Sequence, residues 1–125
     1  METEGTFKKQ SFYIAVILYE SSSSDAPGYQ PMYQECFALI KAASLEEANQ
    51  KALAHANQEE VSYQNENKET ITWSLKQIVD VNAVLDDSFD DGCELYARHF
   101  QNYAAYSLFE PLLSGGMSVP GESSK

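Results

Sequence analysis

The sequence predicts an α+β fold: an antiparallel sheet of about four strands in ββαββ order, with one main helix packed on a face and a short C-terminal helix. Three observations predict it. Ser44–Glu60 (SLEEANQKALAHANQEE) carries apolar residues at helical spacing. Runs rich in β-branched and aromatic residues stand on both sides of that helix, bounded by turn-rich segments. At 125 residues the chain has room for one core, not for two comfortable ones.

Residues 1–10 (METEGTFKKQ) read as a flexible polar arm, 11–112 as a single α+β domain, and 113–125 as a disordered tail of small and polar residues. Phe12–Tyr19 (FYIAVILY) is a strand with both alternate faces apolar, which makes it central and covered on each side. Glu20–Pro31 (ESSSSDAPGYQP) is a polar loop, long for a hairpin and therefore mobile or functional. Tyr33–Ala42 (YQECFALIKA) is a second strand, antiparallel to the first, that runs into the helix cap.

Ser44 and Glu47 have capping-box spacing, with the Glu47 carboxylate reaching back to the Ser44 amide. Glu46 and Glu47 place negative charge at the positive end of the helix dipole. Leu45, Ala48, Ala52 and Ala56, widened by Leu53, form the apolar stripe; it is mostly alanine and lets the axis lie close to a sheet. Asn65 and Asn67 then mark a turn.

Glu69–Val81 is the third strand, with Ile71, Trp73 and Leu75 alternating against Thr70, Thr72, Ser74 and Lys76. Its apolar phase shifts at Ile78 and Val79, the signature of a bulge. Asp86–Gly92 (DDSFDDG) is an acidic turn, and Glu94–Phe100 (ELYARHF) reads as the fourth strand. Asn102 caps a short helix stopped by Pro111. Its Tyr103, Tyr106 and Phe109 stripe is expected to fold onto the sheet face left bare by the first helix, with a dimer interface as the rival reading.

This succession resembles the bacterial family of uncharacterised proteins called DUF4288. The residues that carry the resemblance are the tyrosine-bearing first strand, the Asp/Pro loop, the Glu35-Cys36-Phe37 strand and the Ser44–Ala48 helix start. Thr70–Trp73, the acidic turn and Tyr96–Phe100 complete it. It spans Phe12 to Phe100 and implies a shared fold, with no activity or catalytic residue to carry over.

Nineteen acidic residues against eight basic ones leave a formal charge of −11. No Lys/Arg cluster offers a phosphate-binding surface, so nucleic acid and anionic membrane are excluded as direct partners. A protein partner or a second copy remains. Two cysteines, Cys36 and Cys93, make no disulfide framework. The polar start carries no signal peptide, and no apolar run reaches membrane-spanning length, which reads as cytoplasmic.

The acidic turn fails as a calcium loop: counted from Asp86, Asp91 stands where glycine is needed and Ala97 where the bidentate glutamate belongs. A looser site from Asp86, Asp87, Asp90, Asp91 and Glu94 competes with a plain solvated turn, and the turn is preferred. Cys36, Cys93, His55 and His99 have the count for zinc but none of the short ligand spacings. On a strand, Arg98 and His99 point to opposite faces, so they do not share a pocket unless a bulge intervenes. No phosphate loop, nucleophile elbow or zinc-protease motif occurs, and no cofactor or metal is expected.

Eight tyrosines and one tryptophan are more aromatic surface than a thin core needs. The reading is a small acidic domain acting as a non-catalytic protein-interaction or regulatory module, with no catalytic residues. The alternative is a small-molecule-binding protein or enzyme with a pocket between the sheet and loop 20–31. Its candidate binding residues are Glu35, Trp73, Tyr96, Arg98 and His99.

Overall fold

The computed structural model describes residues 9–86 and 88–110. Most of the N-terminal arm, the whole of 113–125 and the Pro111 helix stop lie outside the described residues. The elements are β1 (Ser11–Ser23), β2 (Tyr33–Ala42), α1 (Leu45–Gln58), β3 (Val61–Gln64), β4 (Thr70–Ala83) and α2 (Tyr103–Phe109). All strand pairs are antiparallel, and the order across the sheet is β2-β1-β4-β3. The fold is α+β with the helix between the second and third strands, in the predicted ββαββ order.

The doubly apolar first strand is central, as its two apolar faces require. Ala15, Ile17 and Tyr19 are buried toward α1, and Ile14 and Val16 are buried on the opposite face. β1 also continues through Ser23, where the serine run reads as loop. Tertiary contacts override the local composition here. Ser21 lies opposite Trp73 of β4 and is fully buried. Its Oγ accepts from the Met32 amide at 2.8 Å and the Tyr29 hydroxyl at 2.7 Å. A buried hydroxyl with its partners in place costs little.

α1 starts at Ser44, whose Oγ accepts from the Glu47 amide at 3.1 Å. The return arm of the box differs from expectation: Glu47 Oε1 accepts from the Ala43 amide at 2.7 Å, one residue before the cap. Ala48, Ala52 and Ala56 are fully buried against the sheet, whereas Leu45 and Leu53 stay about half exposed at 50% and 48%. The packing stripe is thus alanine alone.

β3 is a four-residue strand not expected from the sequence: Val61 and Tyr63 alternate with Ser62 and Gln64, but a run this short directly after the helix is too brief to stand out. Asn65 Oδ1 accepts from the Asn67 and Glu69 amides, each at 2.9 Å, and closes the turn into β4. Lys68 takes a left-handed φ of 63° within it.

The expected bulge is present. Val16 pairs with Asp80 and Ile17 with Ile78, so Val79 is the extra residue; a second shift between Leu18 and Tyr19 leaves out Lys76. Trp73, Leu75, Ile78 and Val81 therefore all face the α1 core, at spacings a regular strand does not allow.

Glu94–Phe100 is not a strand. It is an irregular segment belonging to a strap, residues 84–86 and 88–100, that crosses the sheet face opposite α1. Phe89 meets Phe12 edge-on with centroids 5.1 Å apart, and Tyr96 tilts against Phe37 at 5.9 Å. The count of four strands stands because β3 takes the place assigned to 94–100. The strap also takes the place expected for the C-terminal helix. α2 has no buried residue, and Tyr103 and Phe109 are 67% and 72% exposed.

Candidate functional site

The face opposite α1 gathers most of the residues singled out by sequence. On β2 the odd positions Glu35, Phe37 and Leu39 share this face with Ile14, Val16 and Leu18 of β1, to which they are paired. Phe37 and Leu39 stay largely uncovered, at 63% and 51% exposed. At the Glu35 end a cavity of about 520 Å³ opens between the sheet, the strap and α2, lined by Glu35, Arg98, His99, Phe100, Tyr106 and Phe109 among others. Phe100 stacks on Tyr106 with centroids 4.7 Å apart, which joins the strap to α2.

Arg98 and His99 line this cavity together. The expectation that they diverge rested on strand geometry, and the segment is not a strand. Val79, the bulge residue, lines it as well. Its contribution was signalled only by the phase shift in β4. The sequence places Tyr106 and Phe109 in a core or interface stripe and Phe100 on a strand, and marks none of them as a cavity wall.

Tyr96 stands beside this cavity. Its hydroxyl donates to Asp80 Oδ2 at 2.5 Å. Burial and then the Asp80 carboxylate, as hydrogen-bond acceptor and as negative charge, push the tyrosine above its ordinary value, against the smaller opposing effect of Arg98. Trp73 is elsewhere. It lines a second cavity of about 290 Å³ on the α1 side, with Tyr19, Cys36, His55, Glu59 and Val61. The five candidate residues are therefore divided between two faces of the sheet, and loop 20–31 lines neither cavity. That loop instead fastens to the start of β4, where Asp25 Oδ1 accepts from the Thr70 amide at 2.9 Å.

Among the described residues no three His, Cys, Asp or Glu side chains come together as a metal site. Cys36 and His55 share the α1-side cavity while His99 lies on the other face, so the zinc set considered from sequence is split. The acidic turn bonds to itself: Asp86 Oδ2 accepts from the Glu94 amide and Asp90 Oδ2 from the Ser88 hydroxyl. Asp87 lies outside the described residues. Among the described residues no helix is long and apolar enough to cross a membrane.

All but the first residue of β1, the other strands, α1 and most of the strap fall within one match to a family model, described as a domain of unknown function (DUF4288), over residues 12–97. The chain belongs to the DUF4288 family. The matched span ends just before Arg98, so the cavity is built from a DUF4288 domain on one side and from residues beyond the match on the other. No curated protein and no solved structure matches the chain.

Proposed function

We propose that this DUF4288 chain is a non-catalytic, cytoplasmic protein-interaction or regulatory module whose recognition surface is the face opposite α1. The observation that carries the reading is the apolar exposure concentrated there. Phe37 and Leu39 of β2 are joined by Phe100 on the strap, and Leu108 and Phe109 on α2 are 88% and 72% exposed. Single exposed apolar side chains are ordinary, but several large ones on one sheet face and on the helix beside it are what binding surfaces present. The surrounding charge of −11 keeps such a surface soluble and disfavours nucleic acid or an anionic membrane as its partner.

The test is photo-crosslinking in the native host from a reactive residue at Leu108, with Glu66 at the β3–β4 turn as the control position. One dominant protein adduct from Leu108, absent from Glu66, is expected. Adducts that are missing or equal at both positions would overturn the reading.

A second reading is favoured by one observation, the convergence of Glu35, Arg98 and His99 on an aromatic-walled cavity. A cation beside stacked rings suits a small aromatic acid. A ligand whose binding is lost in Arg98→Ala and retained in Trp73→Ala would establish it.

A further inference from the structure

β2 is a sheet edge, and its main-chain polarity can be worked out residue by residue. The Phe12 carbonyl accepts from the Val84 amide at 2.9 Å, so the main-chain groups of Phe12 face β4. Its β2 neighbour Lys41 therefore points its own N–H and C=O away from β1. The two-residue alternation carries the same orientation to Leu39, Phe37 and Glu35. The Lys51 ammonium donates to the Lys41 carbonyl at 2.7 Å, as an outward carbonyl allows. Among the described residues, nothing else covers the outward groups of Glu35, Phe37 and Leu39. A ten-residue edge of this kind is a template for another strand.

We infer that the occupant is a second copy of this chain, pairing β2 antiparallel to β2 with Ala38 opposite Ala38. Two-fold pairing of identical antiparallel strands requires the axis to pass perpendicular to the sheet. Opposed residues then share a face, and only registers whose paired numbers sum to an even value are allowed. In the register centred on Ala38, Glu35 lies opposite Lys41 of the second copy, and Phe37 lies opposite Leu39. Each of these pairs exchanges two main-chain hydrogen bonds, because these are the outward-facing residues. On the α1 side, Cys36 meets Ile40.

Shifting the centre to Phe37 sets Glu35 against Leu39, and shifting it to Leu39 sets Phe37 against Lys41. Only the Ala38 register satisfies both the charges and the apolar side chains. β2 carries one acid and one base, so two copies of a strongly acidic chain meet here without local repulsion. The Lys41 carbonyl has a second lone pair, which lets Lys51 remain bound or turn away. Two four-stranded sheets become one of eight, and Phe37 and Leu39 of both copies lose their exposure.

This inference names an occupant for the β2 part of the proposed recognition surface and rests on that reading, while α2 stays free. The test uses the full chain in a Cys36→Ala, Cys93→Ser background. Ala38→Cys is expected to form an intermolecular disulfide under mild oxidation, since directly opposed residues outside the hydrogen-bonded pairs sit about 4.5 Å apart, within disulfide reach. Phe37→Cys and Leu39→Cys report the two neighbouring registers.

In parallel, sedimentation equilibrium is expected to show a dimer that Glu35→Lys or Lys41→Glu weakens about tenfold. The double variant E35K/K41E restores it, with circular dichroism confirming that each variant folds. A monomer throughout the micromolar range, a crosslink from position 37 or 39 in preference to 38, or a double variant that stays weak overturns the proposal. A monomer that still yields the Leu108 adduct leaves the recognition surface standing and removes only the dimer.

Discussion

Tyr96 shows how one side chain fastens an irregular segment to a sheet. Its ring lies against Phe37 and its hydroxyl is bound to Asp80, so it anchors the strap by an apolar and a polar contact together. Tyr96→Phe is expected to cost about 1 kcal/mol of stability, measured by urea unfolding, because Asp80 loses one of two donors and keeps only the Asn82 side-chain amide. The raised tyrosine value also sets a pH dependence. This contribution is fully present below the ordinary tyrosine value of 10.0 and is lost as pH rises through the higher folded value. Burial holds Tyr19 up as well, so absorbance titration should show two tyrosines ionising late, and Tyr96→Phe should leave only one of them.

Asp25 has the opposite sign. The Thr70 amide, bonded to its carboxylate, holds it below the ordinary value of 3.8. Its contribution is present above 3.8 and is lost as pH falls through the lower folded value. Carboxyl NMR titration of Asp25 in wild type and in a Thr70→Pro variant, which lacks the donor, checks this. The wild-type value should lie below 3.8 and move up toward it in the variant.

At the scale of elements, α1 and β4 solve one problem from two sides. The helix offers only Ala48, Ala52 and Ala56 to the core, so it must lie close to the sheet for those methyl groups to meet anything. β4 supplies the bulk from below, and its two bulges turn Leu75, Ile78 and Val81 to the same face. Closeness makes the interface intolerant of added volume. Ala52→Leu is expected to destabilise the chain by about 1–3 kcal/mol, read as a lower urea midpoint with an unchanged slope. Leu53→Ala, one residue away and half exposed, should cost distinctly less.

For the whole molecule, the sheet face opposite α1 is crossed by a strap and not covered by a second helix. Among the described residues α2 buries nothing and meets the rest of the chain at the Phe100–Tyr106 stack and the cavity it helps to wall. A chain ending at Asn102 is therefore expected to keep its fold. Its loss is about 1 kcal/mol, a shift of a few degrees in the thermal midpoint. A collapse of the transition would mean that residues 103–125 hold core contacts. The same truncation should abolish binding that depends on the recognition face while leaving β2–β2 pairing intact.

Local chemistry was enough to reveal much of this architecture. The two apolar faces of Phe12–Tyr19 marked a central strand, Ser44 and Glu47 marked a helix start, and the phase break at Val79 marked a bulge, since each is a property of neighbouring residues. Glu35, Arg98 and His99 were also picked out by residue type, although the reason they meet was not legible. What required the tertiary structure was every feature set by a distant partner. Ser21–Ser23 are strand because β4 lies beside them, and β3 is strand because Trp73 and its neighbours offer an edge. Glu94–Phe100 is irregular because Tyr96 fastens it across a sheet face, on Phe37 and Asp80, and not along an edge. Its strand-like composition reports a fit to a half-buried surface, and a strap across a sheet supplies such a surface without joining the ladder.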